Sequence, residues 1–320
     1  MAVSTSVNFT FTRDDTIEES LMALQVIGEG DAPTAAQLAD HARTLNAMIK
    51  SWMAKGIHVH LIQRVTMWLT ANQYEYVVGT DKMAVQPVKT FLTADSAATD
   101  TTLTVDSIAN ISSTNIIGVL LDDGSVFWTT VNGAPSGSTI TLTTGVTTAA
   151  SSGKPVWVYA TTAAAGDIKA IYMAWRRTWN NAANTFEDTP IEIVPHKEYF
   201  GLSSKTDTGE VTQIAFLPKI DRNGTIFTYS APADGRTTLH LLTKRSIYDF
   251  DGATDDADYP QEWFEAIWMG LAARLANHYG KSISERKFLW DQANMALEQV
   301  LALPDVDTPS SVQITPDNGR

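Results

Sequence analysis

His58 and His60 flank Val59, a spacing that places both imidazoles on one face of a strand. Two imidazoles make half of a zinc site, yet no third ligand stands nearby. Two surface or interface histidines are the other reading. Asp249, Asp251, Asp255, Asp256 and Asp258 form an acidic run. Its spacing lacks the central glycine and the terminal glutamate of an EF-hand loop. A solvated loop is expected there, with a weak calcium site as the alternative. Tyr172, Trp175 and Trp179 lie beside Arg176 and Arg177. Rings and guanidinium groups at this spacing suit stacking against sugars or bases. A sheet core with a basic edge is the competing reading.

Nucleophilic and phosphate chemistry leave no trace. There is no G-x-S-x-G serine, no Walker A loop and no complete G-x-G-x-x-G. Gly28-Glu29-Gly30 lacks the third glycine and follows a helical pattern, not a strand. Cysteine is absent, which removes disulfides, thiolate catalysis and Cys-ligated metals. The chain is therefore expected to be no enzyme, with no catalytic, cofactor-binding or metal-binding residue assigned.

Composition narrows the partners. The 320 residues carry 23 Lys and Arg against 36 Asp and Glu, a net charge of −13. A general duplex-binding surface would need the opposite excess. No run of about 18 apolar residues occurs, so no transmembrane helix is expected. Met1 to Asn8 lacks the basic and apolar regions of a signal peptide. At 44% hydrophobic and 18% charged residues, the chain is expected to fold.

The elements follow from periodicity. Ile17, Leu21, Leu24 and Ile27 recur at helical spacing after Thr12, and Gly28 should end that helix. Pro33 and Thr34 open a second helix with Leu38, Leu45, Met48, Ile49 and Trp52 on its apolar face. The two should form an antiparallel hairpin. Between about 61 and 250 the chain alternates at period two. Strands are expected over 61–78, 168–178, 189–194, 211–217, 226–230 and 237–242, with turns at Asn223-Gly224 and Asp234-Gly235. Residues 88–162 stand apart: about one third Ser and Thr, with neither Glu nor Arg. Short strands at 102–105, 116–121, 125–131, 139–142 and 155–159 predict a small barrel or sandwich nested there. Trp128, Phe127, Trp157 and Tyr159 supply its core.

Two more helices close the chain. Tyr259-Pro260 starts one, carrying Trp263, Ile267, Leu271 and Leu275. Ser282 and Glu285 cap the next, with Phe288, Leu289, Met295, Leu297, Val300 and Leu301 as its apolar residues. Pro304 ends it, and a polar tail follows. The expected fold is α+β. An antiparallel four-helix bundle is built from N- and C-terminal helix pairs, 1–60 and 251–303, with a large antiparallel β insertion over 61–250. A small β-barrel or sandwich at 88–162 is nested in it, and 304–320 is an extended tail.

Three stretches, taken in order, resemble a known family. The first is Glu19-Ser20-Leu21-Met22-Ala23-Leu24-Gln25-Val26-Ile27-Gly28, with Leu45-Asn46-Ala47-Met48-Ile49-Lys50-Ser51-Trp52 and Gly56-Ile57. The second is Tyr199-Phe200 with Gly224, Tyr229, Pro232, Leu239 and Leu241. The third runs from Asp249-Phe250-Asp251 through Asp258-Tyr259-Pro260-Gln261-Glu262-Trp263 to Leu271-Ala272-Ala273-Arg274-Leu275-Ala276 and Tyr279-Gly280. Together they resemble the head-to-tail adaptors of short-tailed bacteriophages, the packaged-DNA stabilisation or tail accessory factor group. Residues 88–162 are an embellishment that smaller members lack.

The resemblance implies a virion structural protein located at the head-to-tail interface. Its partners would be the portal protein, tail nozzle or fibre proteins, and itself in a homo-dodecamer ring. Packaged DNA would pass through the channel without specific binding, along an acidic wall that repels it. No membrane is involved. The C-terminal tail, including Asp305, Val306, Val312, Ile314 and Arg320, would reach the portal. The alternative is a β-rich tail or fibre-attachment protein that binds carbohydrate.

Overall fold

The computed structural model describes residues 9–55, 57, 62–219 and 224–302. Helices α1 (Arg13–Ala23) and α2 (Ala35–Ala54) come first. Strands β1 (Ile62–Trp68), β2 (Glu75–Val77) and β3 (Met83–Val85) follow. The Thr-rich stretch supplies β4 (Val88–Phe91), β5 (Thr102–Thr104), β6 (Ile116–Leu120), β7 (Val126–Thr130), β8 (Thr139–Thr141) and β9 (Pro155–Tyr159). Long strands β10 (Ile168–Asn180) and β11 (Thr185–Ile193) precede a short helix, α3 (His196–Gly201). Then come β12 (Thr208–Gly209), β13 (Gln213–Leu217), β14 (Thr225–Tyr229), β15 (Ala231–Pro232) and β16 (Thr237–Arg245). A 3-10 turn at Gln261–Trp263 leads into α4 (Phe264–Leu275), and α5 (Ile283–Leu301) is last. The chain divides into two compact units, residues 1–60 with 247–320, and residues 61–246.

The fold is mostly β, and the expected four-helix bundle is not formed. In the helical unit, α4 is the hub: Ala266, Ile267, Gly270, Leu271, Ala272, Ala273 and Leu275 are all buried. Helix α5 packs on α4 and the turn before it. Its buried residues are Ala293 and Ala296, while Phe288, Met295 and Leu301 are exposed. A bundle requires each helix to turn its large apolar stripe inward. Helix α5 instead makes its close approach through alanines. Capping boxes start three helices, at Thr12 with Asp15, Thr34 with Gln37 and Ser282 with Glu285. The first helix ends before Gly28, because Gln25 takes a left-handed backbone, φ 52.

The β unit is organised on one eight-stranded sheet of order β2-β14-β13-β11-β10-β16-β1-β3. All its pairings are antiparallel except β11 with β13. The single strand expected over 61–78 is two, β1 and β2, at neighbouring positions in sequence but far apart in the sheet. Edge strands β2 and β3 are joined only by residues 78–82. Laid flat, eight strands span about 34 Å, whereas such a link reaches about 20 Å. The sheet must therefore curl, and it forms a half-barrel. Val65, Met67, Ala174, Ile191, Ile214, Leu239 and Leu241 fill one face as a dry core.

The Thr-rich stretch folds as a four-stranded sheet, β4-β9-β6-β7, with a two-stranded sheet, β5-β8. Leu103 and Ile140 of the smaller sheet meet Ile117, Val119, Val156 and Val158 of the larger in one core. A second cluster joins this module to the other face of the half-barrel. Trp68, Ala84 and Trp179 pack there with Leu120, Trp157 and Tyr159. Gly235 N–H also bonds Gly124 O at 2.8 Å, and Lys154 Nζ bonds Asn181 Oδ1 at 2.9 Å.

Candidate functional site

Period-two alternation decides what reaches the second face of the half-barrel. On β1 the core takes Val65 and Met67, so Arg64, Thr66 and Trp68 face the other way. The register aligns Thr66 with His240 and His240 with Trp175. One residue pair further along, Trp68 aligns with Thr238, Thr238 with Arg177, and Arg177 with Asp188. Trp68 and Trp179 disappear under the nested module. Beyond its edge a cavity of about 320 Å³ remains, lined by Arg64, Thr66, Arg177 and His240 of the sheet and by Gln86, Pro87, Lys89 and Trp157.

His240 is held on both ring nitrogens. Nδ1 lies 3.2 Å from Thr66 Oγ1 and 3.4 Å from Arg64 Nη2. Nε2 lies 3.3 Å from Thr238 Oγ1, whose hydroxyl donates to Arg177 O at 3.3 Å. Because Arg64 can only donate, Nδ1 is the acceptor, and Nε2–H donates to Thr238. The imidazole is thus assigned as neutral. Burial is the main reason its pKa is held down at about 3, with Arg177, Arg64 and Lys89 adding to it and Asp188 opposing. Its ring stacks on Trp175, centroids 5.5 Å apart and planes at 14°, and Arg64 Cζ lies 5.3 Å from the Trp175 centroid.

The cations outnumber the carboxylates. Arg177 is spoken for: Nε and Nη2 bond Asp188 at 2.6 and 2.5 Å. That pairing, before any other cause, lowers the Asp188 pKa and raises that of Arg177. Lys89 Nζ rests 4.2 Å from the Phe186 centroid. Partial burial, then the Arg177 charge, push it below the usual ammonium range. Among the described residues neither Arg64 nor Lys89 makes an ion pair. The site can hold an anion.

The residues singled out in sequence divide. Trp175 flanks this site and Arg177 lines it, Trp179 is core, and Tyr172 is exposed. Arg176 turns to the opposite face and pairs with Glu210. Of the three rings expected to stack on sugars or bases, Tyr172 is exposed, Trp175 is half-buried and Trp179 is buried, so they do not form one stacking surface. Arg64, Lys89 and His240 were not anticipated. The signal was present: Lys89 and Lys154 are the two basic residues in 88–162, and His240 sits between inward-facing leucines.

The acidic run serves its own loop. Asp255 accepts from Asp251 N–H at 2.9 Å and from Gly252 N–H, Asp258 accepts from Tyr248 N–H, and Asp249 pairs with Lys50 at 2.7 Å. Among the described residues no group of three or more His, Asp or Glu could hold a metal ion. His58 and His60 lie outside the described residues, as do Asp305, Val306, Val312, Ile314 and Arg320. No described helix is long and apolar enough to cross a membrane.

In the helical unit the first and third stretches of the resemblance meet, although about 200 residues separate them. Asn46 Nδ2 donates to Phe250 O at 3.1 Å, and its Oδ1 accepts Phe250 N–H at 3.0 Å. Lys50 Nζ also donates to Ile247 O at 2.8 Å, and Arg274 Nη2 donates to Ser51 Oγ at 2.7 Å. Trp52 and Trp263 are both buried, ring centroids 6.2 Å apart, while Trp268 is half-buried. On α5, Ile283, Phe288, Trp290, Met295 and Leu301 stay exposed. No protein-family model matches the chain, and no curated protein is found to be similar to it.

Proposed function

We propose that the chain is a virion structural protein, a head-to-tail adaptor that assembles as a ring beneath the portal of a short-tailed phage. It would extend the DNA channel and carry the nozzle or fibres. The observation that carries the reading is the junction of the first and third resembling stretches, where Asn46, Lys50, Ser51 and Trp52 engage Asp249, Phe250, Trp263 and Arg274. Residues chosen for their likeness to one family also hold one another in place. The reading does not depend on a four-helix bundle. The exposed apolar residues of α5 support it further, since such a surface on a subunit calls for a neighbour.

Negative-stain microscopy of the chain alone, and mixed with the portal protein of the same genome, tests the proposal. A twelve-fold ring added beneath the portal is the expected result. No association under either condition overturns it and leaves the carbohydrate-binding alternative, which the basic pocket favours.

A further inference from the structure

We propose that the pocket formed by Arg64, Lys89, Arg177 and His240 binds an acidic sugar unit, one monosaccharide ring whose carboxylate or phosphate is contacted by Arg64 and Lys89. The inference does not rest on the adaptor reading. It starts from charge. Three cations converge where one carboxylate, Asp188, is present, in a chain that is otherwise acidic by 13 charges. Repulsion among them is relieved by an anion; Asp188 is bonded to Arg177, and among the described residues neither Arg64 nor Lys89 makes an ion pair.

Size and lining narrow the ligand. A cavity of about 320 Å³ is at the small end of ligand pockets and suits one ring. The cations form no stripe, so the site does not follow a polymer of phosphates as a nucleic-acid surface would. Pro87, with the edge of the largely buried Trp157, gives the cavity an apolar side for the C–H groups of a sugar. The Gln86 side-chain amide, which makes no hydrogen bond among the described residues, and Thr66 lie ready for hydroxyl groups.

Backbone geometry points to the same place. Gln86 adopts a left-handed conformation, φ 45, immediately before Pro87. A residue ahead of proline is already restricted to extended backbone, so this corner is strained. It is held by Gln86 N–H to Arg64 O at 3.3 Å. The strain places Gln86 and Pro87 in the pocket wall, and strain of this kind gathers at ligand sites.

Calorimetric titration of the full chain with glucuronate, glucose 6-phosphate, glucose and inorganic phosphate tests the proposal. At least one acidic sugar should bind about 10-fold or more tighter than glucose and than phosphate, and more weakly as salt rises. The R64Q/K89Q variant should lose about 10-fold or more in that affinity while its melting temperature does not fall, since both residues reach solvent and neither makes an ion pair among the described residues. Four results would overturn it. They are no binding of either acidic sugar at low salt, equal binding of glucose, equal binding of inorganic phosphate, and undiminished binding by the variant.

Discussion

Replacing His240 by glutamine should flatten the acid sensitivity of the half-barrel. The ring is 6% exposed and faces Arg64 on β1, Lys89 on β4, Arg177 on β10 and Asp188 on β11. Its folded pKa of about 3 lies below the ordinary 6.5. As pH falls, the unfolded chain therefore takes up the proton first. The stability that a neutral His240 supplies is complete above 6.5 and is lost as pH falls toward 3. Between about pH 7 and about pH 4.5 the loss amounts to about 2.5 kcal/mol, or about 70-fold in the opening equilibrium. Glutamine keeps a donor and an acceptor but cannot titrate. At neutral pH the variant should be weaker by about 1 kcal/mol, because the stack on Trp175 is lost. Hydrogen exchange in peptides covering β1, β10 and β16, corrected for intrinsic rate, reads the opening of the sheet directly. Carboxylates elsewhere titrate alike in both proteins, so the difference between them isolates the imidazole. Parallel pH profiles for wild type and His240→Gln would refute the reasoning, because a buried neutral histidine among cations cannot be indifferent to acid.

Gly118 lies opposite Trp128 and Trp157 in the module's larger sheet, and an added Cβ would meet Trp128 ring atoms at 2.6 Å. Gly118→Ala should cost about 1–3 kcal/mol by overpacking, and urea unfolding that shows no change would contradict the packing described. Asn46→Ala removes both bonds to the Phe250 backbone. It should weaken the helical unit by about 2–3 kcal/mol, visible as a lower urea midpoint at the helical circular dichroism band. A midpoint within error of wild type would mean that the junction contributes nothing.

What the sequence revealed depended on how local the cause was. Five of the six strands of the Thr-rich module lie within a residue or two of expectation, because each is short and bounded by turn residues, whereas β4 was not foreseen. The helix start at Thr34 and the capping box at Ser282 were equally local. Helix α5 shows the limit. Its apolar residues recur at helical spacing, but periodicity weighs Phe288 and Met295 above Ala293 and Ala296. Close packing against α4 buries Ala293 and Ala296 and leaves Leu289, Leu297 and Val300 half-buried, while Phe288, Met295 and Leu301 turn outward, so the inferred face was right only in part and the bundle does not form. The break between β1 and β2 was marked only by Asn72, whose backbone is left-handed, φ 63. The order of the half-barrel was out of reach. Its pairing of β1 with β16 joins segments about 170 residues apart, and nothing in either segment specifies the other. The pocket was half visible: alternation puts Arg64, Thr66 and His240 opposite the core, but only docking of the nested module brings Lys89 beside them.

The pocket exists because the module docks where it does. The half-barrel alone would present Trp68, Ala84, Trp179 and Phe186 as an apolar patch, too large to leave in water. Leu120, Trp157 and Tyr159 of the module cover that patch, and the cover stops short of His240. Such a seam is ordinarily closed with leucine or isoleucine, which would add stability. Here it is walled by Arg64, Lys89, Arg177 and a histidine held neutral, at a cost in repulsion and desolvation. Sequences that specify a fold depart from the stable choice mainly where something must bind. Two residues of the wall, Lys89 and Trp157, come from the module itself. A chain of this architecture without residues 88–162 would therefore lack both the cover and the anion site. The Thr-rich stretch is the part of the molecule that turns a sheet face into a binding pocket.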